Sequence, residues 1–213
     1  MNLDFHPTHQ VVILDFETTG VSPTQGDRAI EIGAVRLRQG KIAERFQSLI
    51  NPGFRISRFI EDYTGISNAM LKEAPAPEQV MLDFVKFLGS DGLIAHNASF
   101  DQRFLEAELA RLKRPLPNAF ACSMLLARRV FPEAPNHKLG SLVDFLQLPH
   151  EGTFHRALAD AEMTAHLWLK MMRSLENEFP QTELSFDLIQ RLSKTDRSQL
   201  KRLMQAHAAK GLF

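Results

Sequence analysis

Residues 11–20, VVILDFETTG, run four apolar residues straight into two carboxylates, Asp15 and Glu17. A strand alternates its side chains with a period of two, so Asp15 and Glu17 share one face while Phe16 points to the other and can stay in a core. Two like charges side by side are unfavourable unless something positive sits between them. In a cluster without soft ligands, that charge is expected to be a hard cation. The stretch therefore predicts a buried strand whose end carries a metal site.

Outward from this strand, RAIEIGAVRLRQG and KIAERFQSLINP read as two further strands around Gln39 and Gly40, with Ile30, Ile32 and Ala34 alternating with other positions. Three antiparallel strands are the economical arrangement. Val80, Phe84, Val85 and Leu88 then recur at helical spacing and predict a helix over 76–88, with Pro77 in its first turn. GLIAHN is a short apolar run expected to form a buried strand. Phe104, Leu105, Leu109 and Leu112 mark an amphipathic helix over 99–112. Shorter helices are expected over 120–130 and 138–146, before a long one over 156–175 with Leu158, Ala161, Ala165, Leu169 and Met172 as its stripe. This order belongs to the α/β class: a mixed sheet, three antiparallel strands plus parallel ones, flanked by helices.

Lysine plus arginine equals aspartate plus glutamate, 25 each, so no overall basic field gathers polyanions; any such substrate must be held locally. The only cysteine, Cys122, excludes an internal disulfide and a sulfur-rich structural zinc site. The start, MNLDFHPTHQ, has no basic-then-apolar signal, and no run approaches the roughly 20 apolar residues of a membrane span. A cytoplasmic setting without membrane association is expected.

More carboxylates follow at element ends. Asp101 stands just after the GLIAHN run, in AHNASFDQRFL, where Asn97 and Ser99 are candidate caps for the coming helix. Ends of neighbouring strands lie close together, so Asp101 could face Asp15 and Glu17. In HRALADAEMTAHL, His155 and Asp160 are five apart, about 140 degrees on an ideal helix, and would not share a face. His155 is therefore expected in the connection, after Gly152 and Thr153, with Asp160 one turn inside the helix. Taken singly each residue is more often a turn or capping group; together they outweigh that reading.

The stretches LDFETTG, HNASFD and HRALADA, supported by RAIEIGAVRL, by TGI at 64–66 and by HKLGSLVDFLQL, resemble the DnaQ-like 3'-to-5' exonucleases of the DEDDh type, on the ribonuclease H-like fold. The resemblance covers about residues 9–175. It implies that Asp15, Glu17, Asp101 and Asp160 bind two divalent ions, Mg²⁺ or Mn²⁺, and that His155 is the general base. It also implies that Thr18, Thr19 and Gly20 contact the terminal nucleotide, that Val21 wedges against its base, and that Thr64, His96, Asn97 and Phe100 line the pocket. Thr64 departs from the family, many of whose members carry a histidine there. The implied activity is release of nucleoside 5'-monophosphates from single-stranded or frayed 3' ends of DNA, in proofreading or repair. Two other readings stand beside it: an RNA-trimming exonuclease or oligoribonuclease, and a non-catalytic module that tethers to replication proteins.

After Pro180 the text becomes polar, so the chain divides into an exonuclease domain over 1–178 and an extension over 179–213. PQTELSFD resembles the peptide by which bacterial replication proteins hold the sliding clamp, through Gln181, Leu184 and Phe186 on an extended strand. The alternative is the start of another helix, with Leu184, Leu188 and Leu192 as core. A basic amphipathic helix over 196–209 either packs on the domain or contacts a DNA polymerase subunit or template.

Overall fold

The computed structural model describes residue 8, residues 10–150 and residues 155–210. Gly152 and Thr153, most of the MNLDFHPTHQ start and the last three residues lie outside the described residues.

Strand β1, Val11–Thr18, is the centre of a five-stranded sheet of order β3-β2-β1-β4-β5. Strands β2, Ala29–Arg38, and β3, Lys41–Leu49, continue from it as an antiparallel meander. Strands β4, Gly92–Ala95, and β5, Phe120–Cys122, pair parallel on the other side. Helices cover both faces, which explains why β1 reads as a continuous apolar run rather than an alternating one. Val12, Leu14 and Phe16 enter a core with α3, Pro77–Leu88, and α4, Ser99–Arg111. Val11 and Ile13 enter the opposite core with α5, Ser123–Val130, α6, Leu139–Leu146, and α7, Ala157–Glu178. By period two, Asp15 and Glu17 fall on the α7 side. Edge strand β3 is largely exposed and rich in charge, as an unpaired edge must be to resist further pairing.

One glycine sets how closely α7 approaches the sheet. Gly33 pairs with Asp15 across β1 and β2, and a Cβ built there would lie 2.0 Å from the backbone nitrogen of Leu158. The first turn of α7 therefore rests on bare backbone beside Asp15. A Gly33→Ala chain must lift that turn, and its unfolding free energy is expected to drop by roughly 1–3 kcal/mol or more, as overpacked sites do. Urea denaturation checks this; an unchanged midpoint would contradict the close approach.

Two short helices, α1, Arg58–Thr64, and α2, Asn68–Glu73, fill the segment between β3 and α3, where no helix was expected. Ser57 and Ser67 cap them, each side chain accepting a backbone N–H. The region over 120–130 splits into β5 and α5, because Ala121 pairs with Ile94 before the chain turns helical.

The expected division after residue 178 coincides with the end of α7, but the chain beyond shares the main core. Helix α8, Phe186–Lys194, contributes Leu188, Ile189 and Leu192, and α9, Leu200–Lys210, contributes Leu200 and Met204. The clamp-type reading is corrected here. Leu184 is fully buried, and Phe186 opens α8 with its ring over Gly92, where a Cβ would meet it at 2.5 Å. Of the three residues of that reading, Gln181 alone is exposed. Ser185 caps the helix by accepting from the Leu188 N–H, so this stretch is a helix start with apolar anchors and presents no extended strand.

Candidate active site

Four carboxylates converge from three elements. Asp15 and Glu17 project from the end of β1, and Asp160 stands in the first turn of α7. Asp101 stands in the first turn of α4. Strand β4 pairs with β1 only as far as Ile13, which leaves the next free N–H on that edge, that of Phe16, without a strand partner. Asp101 takes it: the Phe16 N–H donates to Oδ1 at 3.1 Å, fixing the Asp101 side chain between Asp15 and Glu17 along the chain. Its Oδ2 is buried without a hydrogen-bond partner among the described residues.

His155 lies just before α7, as expected, with a left-handed backbone at φ +66. Its N–H donates to Asp160 Oδ2 at 3.0 Å, a backbone contact that orients the carboxylate regardless of the ring. The imidazole is exposed, yet one ligand atom each from Glu17, His155 and Asp160 lie within 4.8 Å of one another. The ring therefore stands between solvent and the buried Glu17 and Asp160 carboxylates.

Crowding shows in the titration behaviour. Burial first, then Asp101, Asp160 and Glu17, push Asp15 well above the ordinary carboxylate range. Burial, then Asp160 and Glu31, raise Glu17 from 4.5 to about 8, and burial raises Asp101 to about 8. Asp160 is also raised, chiefly by burial, with the His155 N–H pulling it back. Groups so perturbed gather where charge is to be handled.

The residue pair that organises this corner was not singled out in the sequence. Glu31 is fully buried and opposite Glu17 in the sheet register. It accepts from Arg156 Nε and Nη2 at 3.2 and 2.8 Å, from the Ala157 N–H at 3.1 Å and from Gln47 at 2.9 Å. A β2 carboxylate thus clamps the N-terminus of α7, where the free N–H groups favour an anion, and fixes the segment between His155 and Asp160. The signal was available: Glu31 shares a strand face with Val35 and Leu37, and an acid on an apolar face must have partners.

The loop after Glu17 is built around Asp27. Its carboxylate accepts from the Thr19 hydroxyl at 3.2 Å and the Ser22 N–H at 2.9 Å, and a Cβ on Gly20 would fall 2.4 Å from it. The Thr18 hydroxyl donates to the Gly20 carbonyl at 2.6 Å, so both threonines spend their side chains on the loop itself. Val21 is held out at its tip, 72% exposed.

Other pocket candidates are placed differently from the expectation. Both His96 ring nitrogens are engaged, with Ser123 Oγ at 2.9 Å and the His137 carbonyl at 2.9 Å, and burial lowers its pKa to about 4; it is a neutral strut between β4 and α5. The Thr64 hydroxyl is buried and committed inside its own turn, donating to the Ile60 carbonyl and accepting from Ile66. Phe100 packs on Phe104 at 5.0 Å and is half-buried. Asn97 is exposed at φ +70, and neither it nor Ser99 caps α4 through its side chain.

A family profile described as exonuclease, RNase_T, matches residues 12–168, a span that contains all five acidic and imidazole residues of the cluster. The chain belongs to the RNase_T exonuclease family. This exonuclease chain is 37% identical over 169 residues, 78% of its length, to a DNA polymerase III PolC-type of Caldanaerobacter subterraneus subsp. tengcongensis, and covers 12% of that relative. It is 39% identical over 197 residues to the 3'-5' exonuclease DinG of Bacillus subtilis, covering 20% of it. The chain thus spans a small part of the curated relatives it matches. Among solved structures, Exonuclease X in complex with 5' overhanging duplex DNA superposes with a TM-score of 0.68 at 29% identity, over 86% of this chain and 99% of that one. The nuclease domain of 3'hExo, a DEDDh family member bound to rAMP, shares the fold at 23% identity and a TM-score of 0.66, over 80% of this chain and 94% of that one.

The donor set of this RNase_T exonuclease chain fits hard dications: carboxylate oxygens and one imidazole, no sulfur, and a buried Asp101 oxygen still lacking a partner. Without them, the native state holds protons that the unfolded chain has already released. Between about pH 4.5 and about pH 8, set by Glu17, the native state binds more protons, so its stability is greatest at the acid end and is lost as pH rises. A melting series in EDTA is therefore expected to show Tm declining from about pH 5 to about pH 8, with added dication restoring it most at the alkaline end. A flat or rising Tm in EDTA would contradict the clustering. Among the described residues no helix is long and apolar enough to cross a membrane.

Proposed function

We propose that the chain is a dication-dependent 3'-to-5' exonuclease that releases nucleoside 5'-monophosphates from single-stranded or frayed 3' ends of DNA, in proofreading or repair. The observation that carries this reading is the convergence of Asp15, Glu17, Asp101 and Asp160, all with raised carboxyl pKa values, beside an exposed imidazole.

Asp15, whose charge the other three acids oppose, would hold the dications together with Glu17, Asp160 and Asp101. Mg²⁺ and Mn²⁺ both suit oxygen donors. Bound dications supply the charge that admits a phosphodiester among the carboxylates and stabilises the departing 3'-oxygen. His155 accepts the proton of the attacking water, whose oxygen forms the new bond to phosphorus as the bond to the 3'-oxygen breaks. The loop braced by Asp27 offers its backbone and Val21 to the terminal nucleotide. DNA is favoured because relatives at 37% and 39% identity carry the names DNA polymerase III PolC-type and 3'-5' exonuclease DinG, and the 29% identical neighbour was solved with duplex DNA. The same relatives favour a polymerase subunit as partner and a cytoplasmic setting.

The test is a degradation ladder on 3'-labelled and 5'-labelled DNA and RNA oligomers, with EDTA and Asp15→Asn controls. Stepwise loss of the 3' end of DNA, silenced by both controls, is expected. Shortening from the 5' end would contradict the reading, and cleavage of RNA alone would move the substrate to RNA.

A further inference from the structure

Two large aromatic rings stand in the open on α1. Phe59 is 71% and Tyr63 52% exposed, while Ile60 and Thr64 of the same helix turn inward. Their i, i+4 spacing stacks them, with centroids 5.9 Å apart and planes 13° from parallel. Tyr63, the only tyrosine of the chain, continues the row onto the His155 ring at 4.2 Å. Three rings therefore lead from the acidic cluster outward along one line of contacts. The Tyr63 hydroxyl registers that continuity, since its pKa is raised by burial and then by Glu17, Asp160 and Asp15.

Exposed stacked aromatics cost solvation and give no core packing in return, so their place calls for a partner. The row ends on His155, so its occupant is the strand whose 3' end lies among the carboxylates. Nucleotides stack at about 3.4 Å intervals along a strand, which brings Phe59 within reach of roughly the third base from the end. Arg55, exposed and four residues before Phe59 in the chain, suits a phosphate of that strand, while Arg58 is held by Asp62 at 3.0 Å.

Building on the exonuclease reading, we propose that Phe59 is a stacking platform for a base upstream of the terminal nucleotide, so that the enzyme holds single strands of several nucleotides better than dinucleotides. Base–aromatic stacking is indifferent to base identity, which suits an enzyme that must digest any sequence.

The experiment measures KM and kcat on dT oligomers of two and eight nucleotides. In the wild type KM is expected to be lower for the octamer. Phe59→Ala is expected to shrink the dimer-to-octamer KM ratio by roughly five- to tenfold, through KM and not kcat, and Phe59→Trp to restore it. An unaltered ratio in Phe59→Ala, or equal losses at both lengths, would overturn the platform. An unaltered ratio with self-association lost in sedimentation velocity would give this face to a second copy of the chain. If the wild type shortens neither oligomer, the exonuclease reading itself fails.

Discussion

Asp15→Asn is expected to reduce phosphodiester hydrolysis on the order of 10³-fold or more while raising the melting temperature of the metal-free protein. The two effects have one origin. Asp15 sits where burial and four neighbouring carboxylates, Asp101, Asp160, Glu17 and Glu31, all oppose its charge, and the folded chain tolerates it only by keeping it protonated or neutralised. An amide of the same shape removes the repulsion and fills the same space, so the folded state gains. At this chain length each kcal/mol is worth about 2–4 °C in Tm. The amide also removes the charge needed to hold dications, so the variant's Tm is expected to respond little to Mg²⁺ or Mn²⁺. Melting curves with EDTA and with dication, beside oligomer hydrolysis rates, check both halves. A variant that loses activity and also loses stability without metal would point to an ordinary structural aspartate.

His155→Ala is expected to lower kcat by about 10²- to 10⁴-fold, the usual share of a general base. The geometry makes this a clean test of the ring. Asp160 is held by the His155 backbone N–H, which alanine retains, so the carboxylate keeps its orientation when the imidazole is gone. The left-handed backbone at this position strains alanine, and His155→Asn, which adopts positive φ more readily, controls for that. Both variants are expected to lose the same rate. Full activity in either would remove His155 from the chemistry.

The central strand and its two acids were legible because period two is a local rule: VVILDFE needs no knowledge of its neighbours to place Asp15 and Glu17 on one face. Asp160 and His155 were legible for the same reason, since helical geometry separates residues five apart. The helix-flanked mixed sheet followed from the order of periodic segments. What failed depended on tertiary partners or on short range. Strand β5 is three residues long and exists only because β4 lies beside it. Helices α1 and α2 are too brief to show a stripe, and their serine caps are weak signals without one. The tail misled because the spacing of Leu184 and Phe186 suits an extended peptide and a capped helix start equally. Burial of Leu184 chose the helix. The Glu31–Arg156 clamp joins residues 125 positions apart, and the Asp101 contact to Phe16 joins residues 85 apart. Neither is visible from spacing, although both decide where the site residues point.

The central claim is that dications make the closeness of the carboxylates tolerable, and proton release on binding reports on it most directly. Titrating Mn²⁺ into the protein at pH 7 by calorimetry, in two buffers of different ionisation enthalpy, counts the protons displaced. With Glu17 and Asp101 near 8 before binding, the expected result is release of about one proton or more per chain. Binding with no proton release, or no binding at all, would contradict the account.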